Sequence, residues 1–233
     1  MFPPRSYNNF SKGSTRRARS RQAHFRLAIV SRSGNNPFVE IHEWNKRYRL
    51  REHETSDFES PPTPLLVETI APLAPGSALD LACGAGRNAL WLAEHGWQVT
   101  AVDGSSVAIE TLRDRAAERN LPIAAVVADL EKHEFEIERD RWDLIAICYY
   151  LQPNLFEPAK RGVKPGGILI AIVHITEPGQ AQTRHSLRPG ELEAFFKGWE
   201  ILHRHEGIPT DKPHRRPVAE LVARRPPLSI WPT

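Results

Sequence analysis

The sequence predicts an α/β fold: a doubly wound, mostly parallel sheet of seven strands with helices on both faces. Three observations predict it. Strand-length apolar runs alternate with stretches of helical periodicity between residues 78 and 174, the pattern of parallel strands joined by crossover helices. The stretch Ala78-Leu-Asp-Leu-Ala-Cys-Gly-Ala-Gly-Arg87 reads as strand, tight turn and helix. Seventeen residues after Gly86 a second acid, Asp103, ends another apolar run. Two strand ends, each with an acid and joined by a helix, make half of a nucleotide site.

The elements follow in order. Phe38 to Tyr48 reads as an amphipathic helix with Phe38, Ile41 and Trp44 on one side. Arg49 to Ser60 is charged and irregular, a loop over the site. Pro61-Pro-Thr-Pro64 opens a helix over 65–73, and Pro75-Gly76 ends it. Strand 78–82, helix 87–95, strand 98–102, helix 105–119 and strand 123–128 come next, with Ser105 as the cap of the second of these helices. Strand 143–148, helix 154–161 and strand 167–174 complete the alternation. Pro189 to Lys197 is a further helix with proline in its first turn. Trp199–His205 and Val218–Ala223 read as an antiparallel pair closing the sheet.

Composition bounds the function. A chain of 233 residues with 40% apolar content suits one domain of ordinary size with tails. No apolar run approaches the ~18 residues of a membrane span. Two cysteines imply no disulfide framework and favour a reducing, cytoplasmic setting. They are also too few for a metal centre, since no third residue has suitable spacing. The net charge of +3 hides a split. Residues 1–34 hold eight Arg and Lys and no acid, which leaves 23 basic and 28 acidic residues, net −5, in the remainder. Such an extension is expected to be disordered. It reads as a nucleic-acid contact, a transit peptide or a dispensable segment; the last is favoured, because Pro3-Pro4 opposes an early helix and Phe25 to Val30 is its one apolar patch.

The glycine turn has a mechanical role. A βα turn this tight needs backbone conformations that a Cβ obstructs, so a ligand can lie against the main chain at Gly84 and Gly86. Asp103 is placed to accept from two ribose hydroxyls. A dinucleotide would put its pyrophosphate on the following helix N-terminus. Asp80 would repel that diphosphate and suit a ligand ammonium. This makes an oxidoreductase the least favoured class. S-adenosylmethionine has an ammonium, a ribose and an adenine, and no phosphate.

Leu79-Asp-Leu-Ala-Cys-Gly-Ala-Gly86 resembles the first motif of the class I S-adenosylmethionine-dependent methyltransferases, and the later motifs agree in order. Ile123 to Leu130 looks like their third strand and the acid–apolar pair that brackets adenine. Trp142 to Cys148 looks like the fourth strand, and Val163-Lys-Pro-Gly-Gly167 resembles the turn before the fifth. The match spans roughly 36–225. Within that superfamily, Trp44-Asn-Lys-Arg-Tyr48, the run Asp80 to Asn88, Pro189-Gly-Glu-Leu192 and Trp199-Glu200 are most similar to the tellurite-resistance and thiopurine methyltransferase group. The resemblance implies a Rossmann-like fold and S-adenosyl-L-methionine as cofactor. It divides the chain into a basic extension (1–34) and a methyltransferase domain (35–230), with covering helices in 35–75, a cofactor core in 76–175 and a substrate-side part in 176–230. It implies cofactor contacts from Trp44, Arg47, Asp80, Cys83, Gly84, Gly86, Asn88, Asp103, Gly104, Ser105, Ala128, Asp129, Leu130 and Cys148.

The acceptor is less legible. Methyl transfer is an in-line displacement that needs alignment and a dry pocket more than a catalytic dyad. Cys148-Tyr-Tyr-Leu-Gln152 lacks the Asn/Asp-Pro-Pro-aromatic signature of amino-methylating enzymes. Tyr149 and Tyr150 are candidates for the pocket wall, with ordinary packing expected of one of them. Arg184-His185, Arg188, His203-Arg204-His205 and His214-Arg215-Arg216 would suit an anionic acceptor, or form a solvated face among interspersed acids. In tellurite-type relatives a His-Arg pair before the last strand is implicated at the substrate end, and His214-Arg215 fits that place. Tyr149, His214 and Arg215 are therefore the candidate catalytic residues. Cys83 and Cys148 read as small packing residues, or as thiols sensitive to oxidants and soft metalloids. The expected partner is a small-molecule acceptor, possibly anionic or a chalcogen compound, for a monomer or homodimer. A regulatory module that kept the pocket, or an RNA methyltransferase using the basic extension, are the alternatives.

Overall fold

A computed structural model describes residues 41–51, 60–177, 179–212 and 214–227. Seven strands form one sheet: β1 (Ser77–Leu81), β2 (Gln98–Asp103), β3 (Ile123–Val127), β4 (Trp142–Cys148), β5 (Val163–His174), β6 (Glu200–Gly207) and β7 (Val218–Arg224). Their order is β3-β2-β1-β4-β5-β7-β6. The first five are parallel, and β7 runs antiparallel between β5 and β6. The helices are α1 (Ile41–Arg51), α2 (Pro64–Ile70), α3 (Arg87–Glu94), α4 (Ser106–Glu118), α5 (Phe156–Gly162) and the single turn α6 (Glu191–Ala194).

Period-two alternation sorts the strands' side chains between two cores. In β5, Ile168, Ile170 and Ile172 face one layer with Leu66 of α2, Leu90 and Leu92 of α3, and Leu112 of α4. Leu169, Ala171 and Val173 face the other, with Phe156 of α5, Leu192 of α6 and Phe196. Both faces are covered, as a doubly wound sheet requires. Chain order reverses between β1 and β4, so the carboxyl ends of these two strands flank the crevice where such sheets bind ligands. At the amino ends of β1, β4 and β5, Asp143 ties the three strands together. It accepts from Ser77 N–H and Lys164 Nζ at 2.8 and 2.7 Å.

Some expected bounds move for local reasons. Helix α2 stops at Ile70 instead of 73, because Pro72 has no N–H to continue the ladder. The helix expected over Pro189–Lys197 is α6 alone. Phe195 and Phe196 donate to residues three back, and Gly198 turns left-handed at φ +84°. Strand β5 begins at Val163, which pairs with Trp142 before a register shift admits the Gly166–Gly167 turn. Helix α1 runs to Arg51, so Arg49 and Leu50 are helical; Phe38, residues 52–59 and the 1–34 extension lie outside the described residues. Among the described residues no helix is long and apolar enough to cross a membrane.

Candidate active site

The β1–α3 turn is built on two left-handed glycines, Gly84 at φ +57° and Gly86 at φ +82°. A Cβ on Gly84 would sit 2.5 Å from the Tyr48 hydroxyl, and one on Gly86 would run into Leu112. The first contact is with α1, which lies over the turn. Asn45 of the same helix accepts from Ser105 Oγ at 2.7 Å, and Ile41 packs on Gly104. Ser105 caps α4 through Ala108 N–H.

Asp103, at the end of β2, accepts from Gly84 N–H on Oδ2 at 2.9 Å and from Ser105 N–H on Oδ1 at 2.8 Å. Each oxygen keeps a lone pair for a ribose hydroxyl. Burial pushes its pKa up, against those two hydrogen bonds. Asp80 is more extreme. It is 2% exposed, and its Oδ2 has no hydrogen-bond partner. Burial pushes its carboxyl up to about 7; the Arg87 charge and the Ala89 N–H oppose this, and the Asp103 charge adds to it. A buried, unpartnered carboxylate oxygen is costly unless a cation meets it.

The S-adenosylmethionine that the sequence resemblance implies fits these residues. Orphaned Asp80 suits its ammonium, the side-chain-free turn its close approach, and the spare acceptor capacity of Asp103 its ribose. Ala128 and Leu130 are buried on either side of Asp129. The Asp129 carboxylate accepts from Glu131 N–H at 3.0 Å and pairs with Lys132. Gln152 Nε2 donates to Leu130 O, and Tyr150 Oη to Gln152 Oε1, which fixes that corner. Tyr150 therefore packs in the α5 layer, whereas Tyr149 lies on the opposite layer, facing the site.

Cys148 ends β4, and Cys83 lies two residues past β1, at the glycine turn. Burial raises both thiols, Cys83 well above the ordinary range and Cys148 to about 12, with the Asp80 charge as second cause. They stay protonated, so thiol chemistry is not favoured here.

Tyr149 sits just past β4 at φ +61°, unusual for a non-glycine residue. Its ring stacks on His214, centroids 3.4 Å apart and planes 5° off parallel. The β5-terminal His174 lies 5.9 Å from Tyr149 and 6.2 Å from His214. Tyr149 Oη donates to Asp211 Oδ2 at 2.8 Å. Arg87, the first residue of α3, grips both oxygens of Asp211 at 3.1 and 2.6 Å, and donates to Thr63 Oγ1 at 3.0 Å. Burial and then Asp211 raise the Tyr149 pKa far above the ordinary range. Burial would lower that of Arg87, yet Asp211 outweighs it and the net direction is upward. Burial lowers the His174 pKa, helped by Arg216. Burial also lowers that of His185, helped by Arg184, Arg216 and Arg47.

The structure brings Asp80, Cys83, Gly84, Gly86, Asp103, Gly104, Ser105 and Cys148 to one rim, with Tyr149 and His214 nearby. Others are engaged elsewhere or exposed. Asn88 is buried with its Oδ1 taken by Thr63 N–H at 2.9 Å, a joint between α2 and α3. Arg215 is exposed. Trp44 is 40% exposed, with the Arg47 guanidinium 4.8 Å over its ring. The sequence reading missed Asp211, its Arg87 partner and Thr63. The spacing Asp211-x-x-His214 was the available signal, hidden among acids that read as solvated.

The model of the family described as "Tellurite resistance protein TehB" matches residues 51–215. Hemagglutinin 1 of Eikenella corrodens is 29% identical over 148 residues, covering 60% of this chain and 49% of that protein. A probable S-adenosyl-L-methionine-dependent methyltransferase TehB of Haemophilus influenzae is 25% identical over 150 residues, covering 61% and 52%. The chain thus spans about half the length of the curated relatives it matches. The crystal structure of TehB from Haemophilus influenzae superimposes with a TM-score of 0.60 at 24% identity, over 69% of this chain and 61% of that one.

Proposed function

This chain belongs to the tellurite resistance protein TehB family, and we propose that it transfers the methyl group of S-adenosylmethionine to a small anionic acceptor. The observation that carries the proposal is Asp80: a nine-tenths buried carboxylate with one orphaned oxygen beside a side-chain-free turn. A diphosphate would be repelled there, and an ammonium is what completes it.

In this reading Asp80 holds the ammonium, Asp103 the ribose, and Ala128, Asp129 and Leu130 the adenine end. The bound cofactor supplies an electrophilic methyl on a sulfonium, already a good leaving group. The chain's own part is alignment and exclusion of water, which together supply ~7 kcal/mol or more. Tyr149 and His214 form one wall of the acceptor mouth. His174 stays neutral near pH 7, since burial and Arg216 lower its pKa, and can take a proton from an acceptor that arrives protonated. The Arg216 charge that reaches His174 favours an anion over a cation in that mouth. A chalcogen oxyanion and a small carboxylate both fit this charge, in a cytoplasmic protein with free thiols.

The test is an acceptor screen reading S-adenosylhomocysteine release with tellurite, selenite, thiols and small carboxylates. Turnover with an anion supports the reading. Cofactor binding without turnover on any acceptor would instead favour a regulatory module. Salt-dependent RNA binding lost on removing residues 1–34 would favour the RNA reading.

A further inference from the structure

We propose that Asp211 is a positioning residue: it fixes Tyr149 and His214 as one wall of the acceptor mouth and ties that wall, through Arg87, to the cofactor turn. Its activity arm rests on the methyltransferase reading; its structural arms do not.

The residue lies on the β6–β7 connection, where an acid is ordinarily solvated. Its side chain is nevertheless 3% exposed, and that of Arg87 18%. A buried ion pair adds little stability over an apolar pair of the same size, so its retention calls for a role beyond stability. That role is visible in what the carboxylate joins. Oδ2 accepts from the Tyr149 hydroxyl, and both oxygens accept from Arg87. The Asp211 carbonyl accepts from His214 N–H at 2.9 Å, which turns the chain so that the imidazole lies flat on Tyr149. Four segments thereby meet at one residue: the end of β4, the start of α3, the entry to α2 through Thr63 and Pro61, and the His214 loop.

The left-handed backbone of Tyr149 makes the anchor necessary. A tyrosine at φ +61° is held against its own preference, and its N–H is engaged by Ile172 O. The hydroxyl end sets the ring's tilt against the His214 stack, and Asp211 takes it. Arg87 directly follows Gly86, so any movement of the glycine turn passes to the carboxylate that steers this ring. The bidentate fork transmits direction as well as charge.

The experiment uses the full chain and the isosteric variant Asp211→Asn. Loss of the charge leaves Arg87 as the dominant neighbour of the phenol. The near-ultraviolet circular dichroism that Tyr149→Phe removes should fall by at least half in Asp211→Asn, as the ring loses its fixed tilt against His214. S-adenosylhomocysteine affinity by calorimetry should stay within threefold of wild type. Turnover of whichever anion the screen identifies should fall at least tenfold in kcat/KM. A folded Asp211→Asn chain with unchanged near-ultraviolet circular dichroism would overturn the proposal, as would a loss of cofactor affinity equal to the loss of turnover. Should that variant not fold, Arg87→Lys keeps the charge and loses the fork. Amide exchange across 208–217 should then rise at least tenfold while β1 and β4 keep their protection, and wild-type exchange in that loop would refute the tether. The dichroism and exchange arms need no acceptor and no methyl donor, so they can fail while the methyltransferase reading stands, and the reverse.

Discussion

Binding of the cofactor should depend on pH through a single group. In the free protein, burial raises Asp80 from an ordinary carboxylate value of 3.8 to about 7. Only the ionised form attracts an ammonium, so affinity is highest above pH 7 and falls as pH drops through it. With a pKa of about 7, the ionised fraction is roughly 0.9 at pH 8 and 0.1 at pH 6, so the dissociation constant should rise about tenfold across that interval. Stability of the free protein moves oppositely. Between 3.8 and about 7 the folded chain holds a proton that the unfolded chain has lost, so stability falls as pH rises through that window, by up to about 4 kcal/mol. The assay is calorimetry with S-adenosylhomocysteine, whose ammonium stays charged throughout, in buffers of different ionisation enthalpy. About half a proton should be released per ligand bound at pH 7. Asp80→Asn should abolish the pH dependence, weaken binding at pH 8 by roughly 100-fold and stabilise the free chain. Affinity that is flat from pH 6 to 8, or a dependence that survives in Asp80→Asn, would refute the reasoning.

Other outcomes follow from the same geometry. Gly84→Ala places a Cβ against the Tyr48 hydroxyl at a left-handed φ, and should cost about 1–3 kcal/mol in a melting experiment and more than tenfold in S-adenosylhomocysteine affinity. With Cys148 raised to about 12 from 9.0, its alkylation by iodoacetamide at pH 8 should run about 1,000-fold slower than that of an unperturbed thiol, and labelling at the free-cysteine rate would contradict that shift. Removing residues 1–34 should leave S-adenosylhomocysteine affinity within twofold of the full chain by calorimetry.

The sheet and the glycine turn were legible because both have short-range signatures. Strand ends carrying Asp80 and Asp103, glycines that the turn requires, and Ser105 as a cap each show in a window of a few residues. The acceptor side was less legible because its logic is long-range. Asp211 and Arg87 are 124 residues apart, and nothing near either one in sequence marks it as the other's counterion. Asn88 is the complementary case: it stands in a glycine motif, and tertiary packing spends its side-chain carbonyl on Thr63. Pro72 was on view and should have shortened α2, whereas α6 read long because Phe195 and Phe196 keep a helical spacing while turning more tightly.

The position of α1 has a kinetic consequence. Tyr48 over Gly84, Ile41 over Gly104 and Asn45 at Ser105 put this helix on the same backbone that would cradle the ligand, while His42, Glu43, Lys46, Arg47 and Leu50 face outward. An eleven-residue helix with so little apolar anchorage is marginal on its own. Loading and unloading would then be paced by how often that helix lifts, so residence time and affinity can be tuned by different residues. Substitutions on the outward face of α1 would change how long a product stays while leaving its equilibrium grip almost untouched.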